Sequence, residues 1–593
     1  MKFNNLFIAA IVALCALRVA AIAPSGDVRI AWDYSTMTEI TEMPIENRGY
    51  TETNLIYPRI KRLSNGELMM SFMNHTFGWE PYVALSSDDG KSWHHTQRLQ
   101  DQKPGKSSVG ADTLIYVNPD FIELNDGRIL LAYQCRWKKG YNDLEHTNEN
   151  CYIEIMTSED KGRTWGAARR IYSGRCWEPA MLQLPNGEIQ MFITDSNDVK
   201  YKRSQPATIV IRSYDGGKTW QGKKSCSYKD GEIISRTIDE RGSYDGMPSA
   251  VILDDGSLAM PLEVWSGVLK MDQTPVIITT DKQSNWKSDQ SIRLTGGPDF
   301  PNKRQLHKDL QAYGPYICRL PSGEPIVLSS GKYKGEFGMW ALIGDNKAEN
   351  FNHATKPFQG YWGCIDYIGD NKVLACGTYD YKDSIGNKRH MLHTAIGRIN
   401  RSKNITKGQI DHHKLNDFNR ERNDYWFVGA MDKTCSMVDF GYDDSGFIIS
   451  GYVFDDDILA FTPENSDGTS ILIARLQENG EYDTYKFAVN ALGKYDLYRE
   501  VGSSWVKANS GIIPVECVGS VNQRGDKDTG YSYLATIPWS EIGGSPQPGE
   551  VLRIHPRHHF KTTRKESPVS ATVEEAAGEN PDYPSEWLKV SLK

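Results

Sequence analysis

A short turn recurs between residues 63 and 371, and its spacing limits the fold more than any other feature of this 593-residue chain. The copies are Leu63-Ser-Asn-Gly66, Leu124-Asn-Asp-Gly127, Leu184-Pro-Asn-Gly187, Leu253-Asp-Asp-Gly256 and Leu320-Pro-Ser-Gly323, with a degenerate Ile368-Gly-Asp-Asn371. Each lies between two runs in which apolar and polar residues alternate, the period of a strand with one buried face. Asn-Gly and Asp-Gly tolerate the positive φ of a tight hairpin, so each copy reads as a β-hairpin. Six hairpins spaced 48 to 69 residues apart predict six similar blades.

A second repeat interleaves with the first. Ser86-x-Asp88-x-Gly90-x-Ser92-Trp93 returns as Ser158-x-Asp160-x-Gly162-x-Thr164-Trp165, as Ser213-x-Asp215-x-Gly217-x-Thr219-Trp220, and in worn form as Thr279-x-Asp281-x-Gln283-x-Asn285-Trp286. The Asp can close a turn onto its own backbone, the Gly supplies positive φ and the Trp packs between blades. These residues are therefore expected to be scaffold. The motif resembles the Asp-box repeats of sialidase-like β-propellers.

Both repeats, short strands and the near absence of helical periodicity give an all-β expectation: a six-bladed β-propeller over residues 24–400 followed by a β-sandwich. Residues 401–425 are crowded with Arg401, Lys403, Lys407, His412, His413 and Lys414 and read as a linker or crossover. From residue 426 both repeats stop, and 426–593 alternates like a sandwich. Its segments Tyr442-Asp-Asp-Ser-Gly-Phe447 and Ile537-Pro-Trp-Ser-Glu-Ile542 resemble carbohydrate-binding module family 9. That resemblance implies glycan binding through aromatic residues, for which Trp505, Trp539 and Trp587 are the candidates, with Trp539 favoured as core.

The net charge of −8 shows no basic footprint, so no nucleic-acid partner is expected. Residues 1–23 combine Lys2, an apolar stretch and Ala21-Ile22-Ala23, which reads as a secretory signal cleaved near Ala23. No later run is long enough to cross a bilayer, so a secreted or periplasmic monomer without membrane insertion is expected. The nine cysteines after residue 23 are odd in number and form no Cys-x-x-Cys pair. They indicate neither a disulfide framework nor a zinc site, and buried thiols are the simplest reading. Neither a metal nor a cofactor is expected; His555, His558 and His559 lack carboxylates at ligand spacing.

Aligning the hairpins on their turns makes a map of the expected channel. Side chains two apart share a face. Nine and seven residues before each turn Gly come Tyr57 and Arg59, Asn118 and Asp120, Glu178 and Ala180, Met247 and Ser249, Gly314 and Tyr316. Seven residues after it come Met73, Gln134, Thr194, Glu263 and Ser330. Glu178 and Glu263 thus belong to adjacent blades. Two carboxylates flanking one bond suit glycoside hydrolysis, in which one protonates the leaving oxygen and the other acts as nucleophile or base. Asp120 and Asp195 are further acids near the expected mouth. Arg59 can bond a sugar or keep a carboxylate ionised, and Trp177, Tyr316, Tyr361, Trp362 and Tyr379 are candidate sugar contacts.

Tyr57-Pro-Arg-Ile60, Trp177-Glu-Pro179, Asp245-Gly-Met-Pro248 and Tyr313-Gly-Pro-Tyr316 resemble glycoside hydrolase family 93, over roughly residues 50–390. The resemblance implies an exo-acting α-1,5-L-arabinanase with a retaining mechanism, Glu178 as acid/base and Glu263 as nucleophile. Sialidases are the alternative. They carry a Phe/Tyr-Arg-Ile-Pro motif and an arginine triad, whereas here the order is Tyr-Pro-Arg-Ile and only Arg59 falls in the inner register. A glycan-binding propeller without catalysis is the third reading. In each, the partner is an oligo- or polysaccharide.

Overall fold

The six turns close hairpins as their chemistry requires. The turn glycines 66, 127, 187, 256 and 323 have φ between 82° and 114°, and Asn371 substitutes with φ 55°. In the computed structural model the described residues are 27–75, 79–197, 199–200, 203–204, 206–221, 233–238, 242–266, 271–286, 290–293, 303–409, 419–523, 527–572 and 583–593. The expected signal peptide, His412, His413, Lys414 and Cys226 lie outside them.

Each hairpin forms the two innermost strands of a sheet of four or five strands, and six such sheets make the blades. The innermost strands are Leu55–Arg62, Gly110–Glu123, Cys176–Gln183, Ser243–Gly246 continued by Val251–Ile252, Leu310–Arg319 and Tyr361–Gly369. Val28–Ile40 pairs antiparallel with Lys388–Arg401 as the outer strand of the sixth blade. That blade is therefore built from both ends of the repeat region, which closes the ring.

Six apolar clusters fill the six gaps between successive blades. Leu63, Met69 and Leu131, for example, join blades one and two, while Phe192, Ile234 and Met260 join three and four. The Asp-boxes seal these gaps from outside. Asp160 accepts from the Thr164 amide at 2.8 Å and from its hydroxyl at 2.6 Å, and the Gly162 amide donates to Ser158 Oγ at 2.8 Å. Asp88 and Asp215 repeat the pattern. Trp93, Trp165, Trp220 and Trp286 each pack in the gap shared with the preceding blade.

The innermost strands share a feature that aims side chains at the axis. The residue nine positions before the turn takes a left-handed conformation in every blade: Tyr57, Asn118, Glu178, Met247, Gly314 and Trp362 have φ between 48° and 58°. There the pairing slips, so that in the first blade Tyr57 and Pro58 together oppose the single residue Phe72. The same slip interrupts the other innermost strands. A β-bulge of this kind bends the strand and re-aims one side chain.

The remaining chain forms a sandwich of an eight-stranded and a five-stranded sheet around Trp426, Phe447, Ile449, Ile471, Phe487 and Tyr531. Within the expected crossover, Lys403–Ile405 pairs parallel with Leu588–Leu592 and so belongs to the larger sheet. Asn400 exchanges two 2.8 Å hydrogen bonds with the Phe427 backbone, and Asp33 pairs with both Arg398 and Arg420, fastening sandwich to propeller. Trp539 and Trp587 are buried, whereas Trp505 is exposed. Of the eight described cysteines, the seven buried ones are free thiols.

Candidate active site

A cavity of about 370 Å³ opens where the bulges converge, and its wall includes Tyr57, Asn118, Glu178, Met247 and Trp362 from five of the six left-handed positions. The amide of such a residue points away from its own ladder and needs an acceptor. In five blades the residue seven positions past the preceding blade's turn supplies it. Thr378 Oγ1 accepts from Tyr57 at 3.0 Å, Met73 Sδ from Asn118 at 3.4 Å and Thr194 Oγ1 from Met247 at 3.2 Å. Glu263 Oε2 accepts from Gly314 at 3.0 Å and Ser330 Oγ from Trp362 at 2.9 Å. The two glutamates therefore occupy two different repeated positions: Glu178 replaces a bulge residue, and Glu263 replaces the acceptor that holds the next bulge.

Their surroundings differ. Glu178 Oε2 receives the hydroxyls of Thr194 and Tyr244, each at 2.9 Å, and the Met247 amide at 3.0 Å. Burial raises its pKa, while these three donors and the charge of Arg59 oppose the rise. Among the described residues Glu263 accepts only from the Gly314 amide. Burial, then the negative charge of Glu178, push it up to about 7. Of the pair, Glu178 has the greater number of hydrogen-bond donors to hold it as an anion.

Arg136 reaches the same cavity with its guanidinium over the rings of Trp79 and Tyr141, 4.8 Å from each. Tyr141 comes from the loop 138–150, whose start is fixed by Asp112 accepting from the Lys139 and Gly140 amides. Trp177 lies between Tyr141 and Tyr244, with ring centroids 5.7 and 6.3 Å away. It backs the tyrosine that holds Glu178. His75 stacks on Trp79 at the rim.

Four expected contacts are buried away from both cavities. Arg59 is buried beneath the cavity, donating to the carbonyls of Pro58 and Gly363 at 2.8 and 3.2 Å and facing the Tyr57 ring at 3.9 Å. The bulge tilts residue 57 toward the mouth and leaves Arg59 to the ring's interior. Asp120 is buried with it, near Lys61 and Arg59, and accepts from the Tyr316 hydroxyl at 3.4 Å, which takes Tyr316 out of reach as well. Asp195 is fully buried, bonded to Tyr172 and Asn197, and burial raises it to about 6. Tyr361, Trp362 and Tyr379 line a neighbouring cavity. Among the described residues no group of three His, Cys, Asp or Glu is placed to hold a metal ion.

His75, Arg136 and Tyr244 had no place in the sequence reading. The first two stand nine residues past their turn glycines, on the strand face of Met73 and Gln134. Extending the register by one step finds them, and Asp380 too. Tyr244 has no such signal.

The BNR repeat-like domain family matches residues 145–323, which hold the second and third Asp-boxes and both glutamates. A sialidase from Clostridium perfringens is 26% identical over 162 residues, covering 25% of this chain and 41% of that protein. The chain thus spans about two fifths of the length of the curated relative it matches. Among solved structures, a protein of unknown function from Dyadobacter fermentans has 15% identity over 61% of this chain and 99% of its own, with a TM-score of 0.43. The alpha-L-arabinanase of Penicillium chrysogenum, complexed with arabinobiose, has 18% identity over 60% of this chain and 98% of its own, with a TM-score of 0.41. The repeat match and the six sheets define the class as a six-bladed β-propeller with BNR-like repeats. Here it is followed by a β-sandwich.

Proposed function

We propose that this protein is an exo-acting glycoside hydrolase that releases terminal sugars, with α-1,5-L-arabinan as the leading substrate. The supporting observation is the pairing of Glu178 and Glu263 at one cavity, with three hydrogen-bond donors on Glu178 against the Gly314 amide on Glu263. Protonated Glu263 donates to the glycosidic oxygen as the carbon–oxygen bond breaks, and the Glu178 carboxylate bonds to the anomeric carbon. Glu263, now ionised, takes a proton from water as that water displaces Glu178, giving retention. This reverses the roles implied by the family resemblance, because three donors on Glu178 against one on Glu263 favour Glu178 as the anion.

A sialidase-like activity is the second reading. It is favoured by the 2.9 Å hydrogen bond between Tyr244 and Glu178, a tyrosine–carboxylate pair of the kind that chemistry uses, and by the match to a sialidase. Under it Tyr244 attacks the anomeric carbon as the bond to the leaving oxygen breaks, Glu178 takes the phenolic proton and Glu263 protonates the leaving oxygen. Against it, Arg59 is engaged by backbone carbonyls, and Arg136 is the one arginine on the cavity wall among the described residues. A sugar carboxylate calls for a bidentate arginine clamp.

Arabino-oligosaccharides and sialyllactose incubated separately with wild type, Glu178→Gln and Glu263→Gln decide between them, with products read by chromatography. Arabinose or arabinobiose release lost in both variants supports the first reading, and sialic acid release selects the second. No release from either substrate defeats both. For the sandwich we propose glycan retention near the exposed Trp505, and for the chain a secreted monomer. Pull-down on insoluble arabinan by Trp505→Ala tests the first, and sedimentation of protein recovered from medium tests the second.

A further inference from the structure

Beside the glutamate cavity lies a larger one of about 690 Å³, and the two share Ile56, His75 and Trp362. A ligand seated between the glutamates can therefore continue across Trp362 into the second space. One side of that space is aromatic: Trp362 and Phe337 are 37% and 42% exposed, and Tyr313, Tyr361 and Tyr379 stand with them. Joined to these rings through Tyr361 is a pre-set polar cluster. Asp380 accepts from the Tyr361 hydroxyl at 2.5 Å and contacts His390 Nδ1 at 2.6 Å and Lys388 Nζ at 2.7 Å.

This wall has a definite chemistry. Aromatic faces on the surface of a cavity suit the C–H faces of sugar rings. The Asp380–Lys388 pair balances its own charge, so the cluster offers donors and acceptors without drawing an ion. Beyond these contacts Asp380 keeps acceptor capacity, and Lys388 and His390 keep nitrogen positions, that sugar hydroxyls can use.

We propose that the second cavity is the subsite for the leaving part of the substrate: a neutral sugar unit stacks against Trp362 and Phe337 and hydrogen-bonds to Asp380, Lys388 and His390. The inference rests on the glycosidase reading above and adds that the preferred leaving group is itself a sugar. Two sugars in two cavities explain why a propeller with a small catalytic pocket has a long aromatic rim.

The test uses the full chain with Phe337→Ala and Asp380→Asn, both away from the glutamates. For α-1,5-arabinotriose, kcat/KM is expected to fall at least about tenfold, mainly through KM, while 4-nitrophenyl α-L-arabinofuranoside is cleaved as by wild type. Equal losses on both substrates, or none on either, overturn the proposal. If wild type releases sialic acid instead, 3′-sialyllactose and an aryl sialoside replace the pair. Calorimetry with arabinotriose on Glu263→Gln, with and without Phe337→Ala, separates the two inferences. Binding weakened at least about tenfold by Phe337→Ala keeps the subsite even if no glycoside is hydrolysed, in which case only the enzyme reading falls. Binding of neither sugar, or binding indifferent to Phe337, removes the subsite.

Discussion

Tyr244 donates its hydroxyl to Glu178 Oε2 at 2.9 Å across the boundary between the third and fourth blades. The bond joins a residue with no repeat signature to the most distinctive acid in the ring. It helps set which glutamate is charged.

Tyr244→Phe removes one of three donors on Glu178 and leaves the ring in place. The carboxylate becomes harder to ionise, so the acid limb of the kcat/KM profile moves to higher pH. A fall of about tenfold in kcat accompanies it if Glu178 is the nucleophile. Under the tyrosine-nucleophile reading the loss is at least about a thousandfold. The pH–rate profile of the purified variant checks both.

Glu263 must carry a proton to act as an acid, and its pKa lies near 7. Under the proposed roles, activity is expected below about pH 7 and is expected to be lost as pH rises through it. Glu263→Gln abolishes this limb and slows substrates with poor leaving groups by at least about a thousandfold, while an activated aryl glycoside suffers less. Equal damage to both substrates would assign the proton donor elsewhere.

The same group links pH to stability. Below about 4.5 the carboxyl is neutral in folded and unfolded chains alike, whereas above about 7 the fold must hold its charge against burial. Stability from this site is lost as pH rises through 7. At pH 8 the melting temperature of Glu263→Gln is expected to exceed wild type by about 2 °C. The difference vanishes at pH 4.

Lys303 and Asp245 form an ion pair at 2.6 Å that is almost wholly excluded from solvent, with Ser235 Oγ 2.7 Å from the lysine. It anchors the strand Ser243–Gly246 on which Tyr244 stands. Lys303→Met leaves the aspartate buried without its cation and is expected to cost about 3–5 kcal/mol. Adding Asp245→Leu should recover part of it. Denaturant titrations measure both; a cost below about 1 kcal/mol for the single variant contradicts the account.

Asp160→Ala is the control for scaffold. It removes acceptors for the Thr164 amide and hydroxyl at the outer rim. A melting temperature lower by about 2–4 °C with kcat unchanged is expected. A changed kcat with unchanged stability would give the Asp-box a role in chemistry.

The hairpin register was legible in the sequence because it is local. Tyr57, Asn118, Glu178, Met247, Gly314 and Trp362 share one offset from the turn, and that offset is where φ turns positive. Five of the six are followed by proline, at 58, 119, 179, 248 and 315, a bulge signature that was present in the chain. What misled was strict alternation. A strand without bulges puts residues 57 and 59 on one face, but the extra residue breaks that period, so Arg59, Asp120 and Tyr316 face the interior instead of the mouth.

The amino-acid sequence by itself determined the repeat: turns that need positive φ, Asp-boxes that close on their own backbone, and six copies that can bury their faces only against one another. It also singled out Glu178 and Glu263, because an odd residue shows against a repeat. Only the tertiary structure decided what surrounds them. The Thr194 and Tyr244 hydroxyls, the Gly314 amide and the second cavity behind Trp362 come from different blades, and no local period records the distance between them. Protonation depends on those distances, since burial and hydrogen bonds act over a few ångströms. The chain's repeats therefore made the two glutamates stand out, and the closure of the ring set which donors surround each.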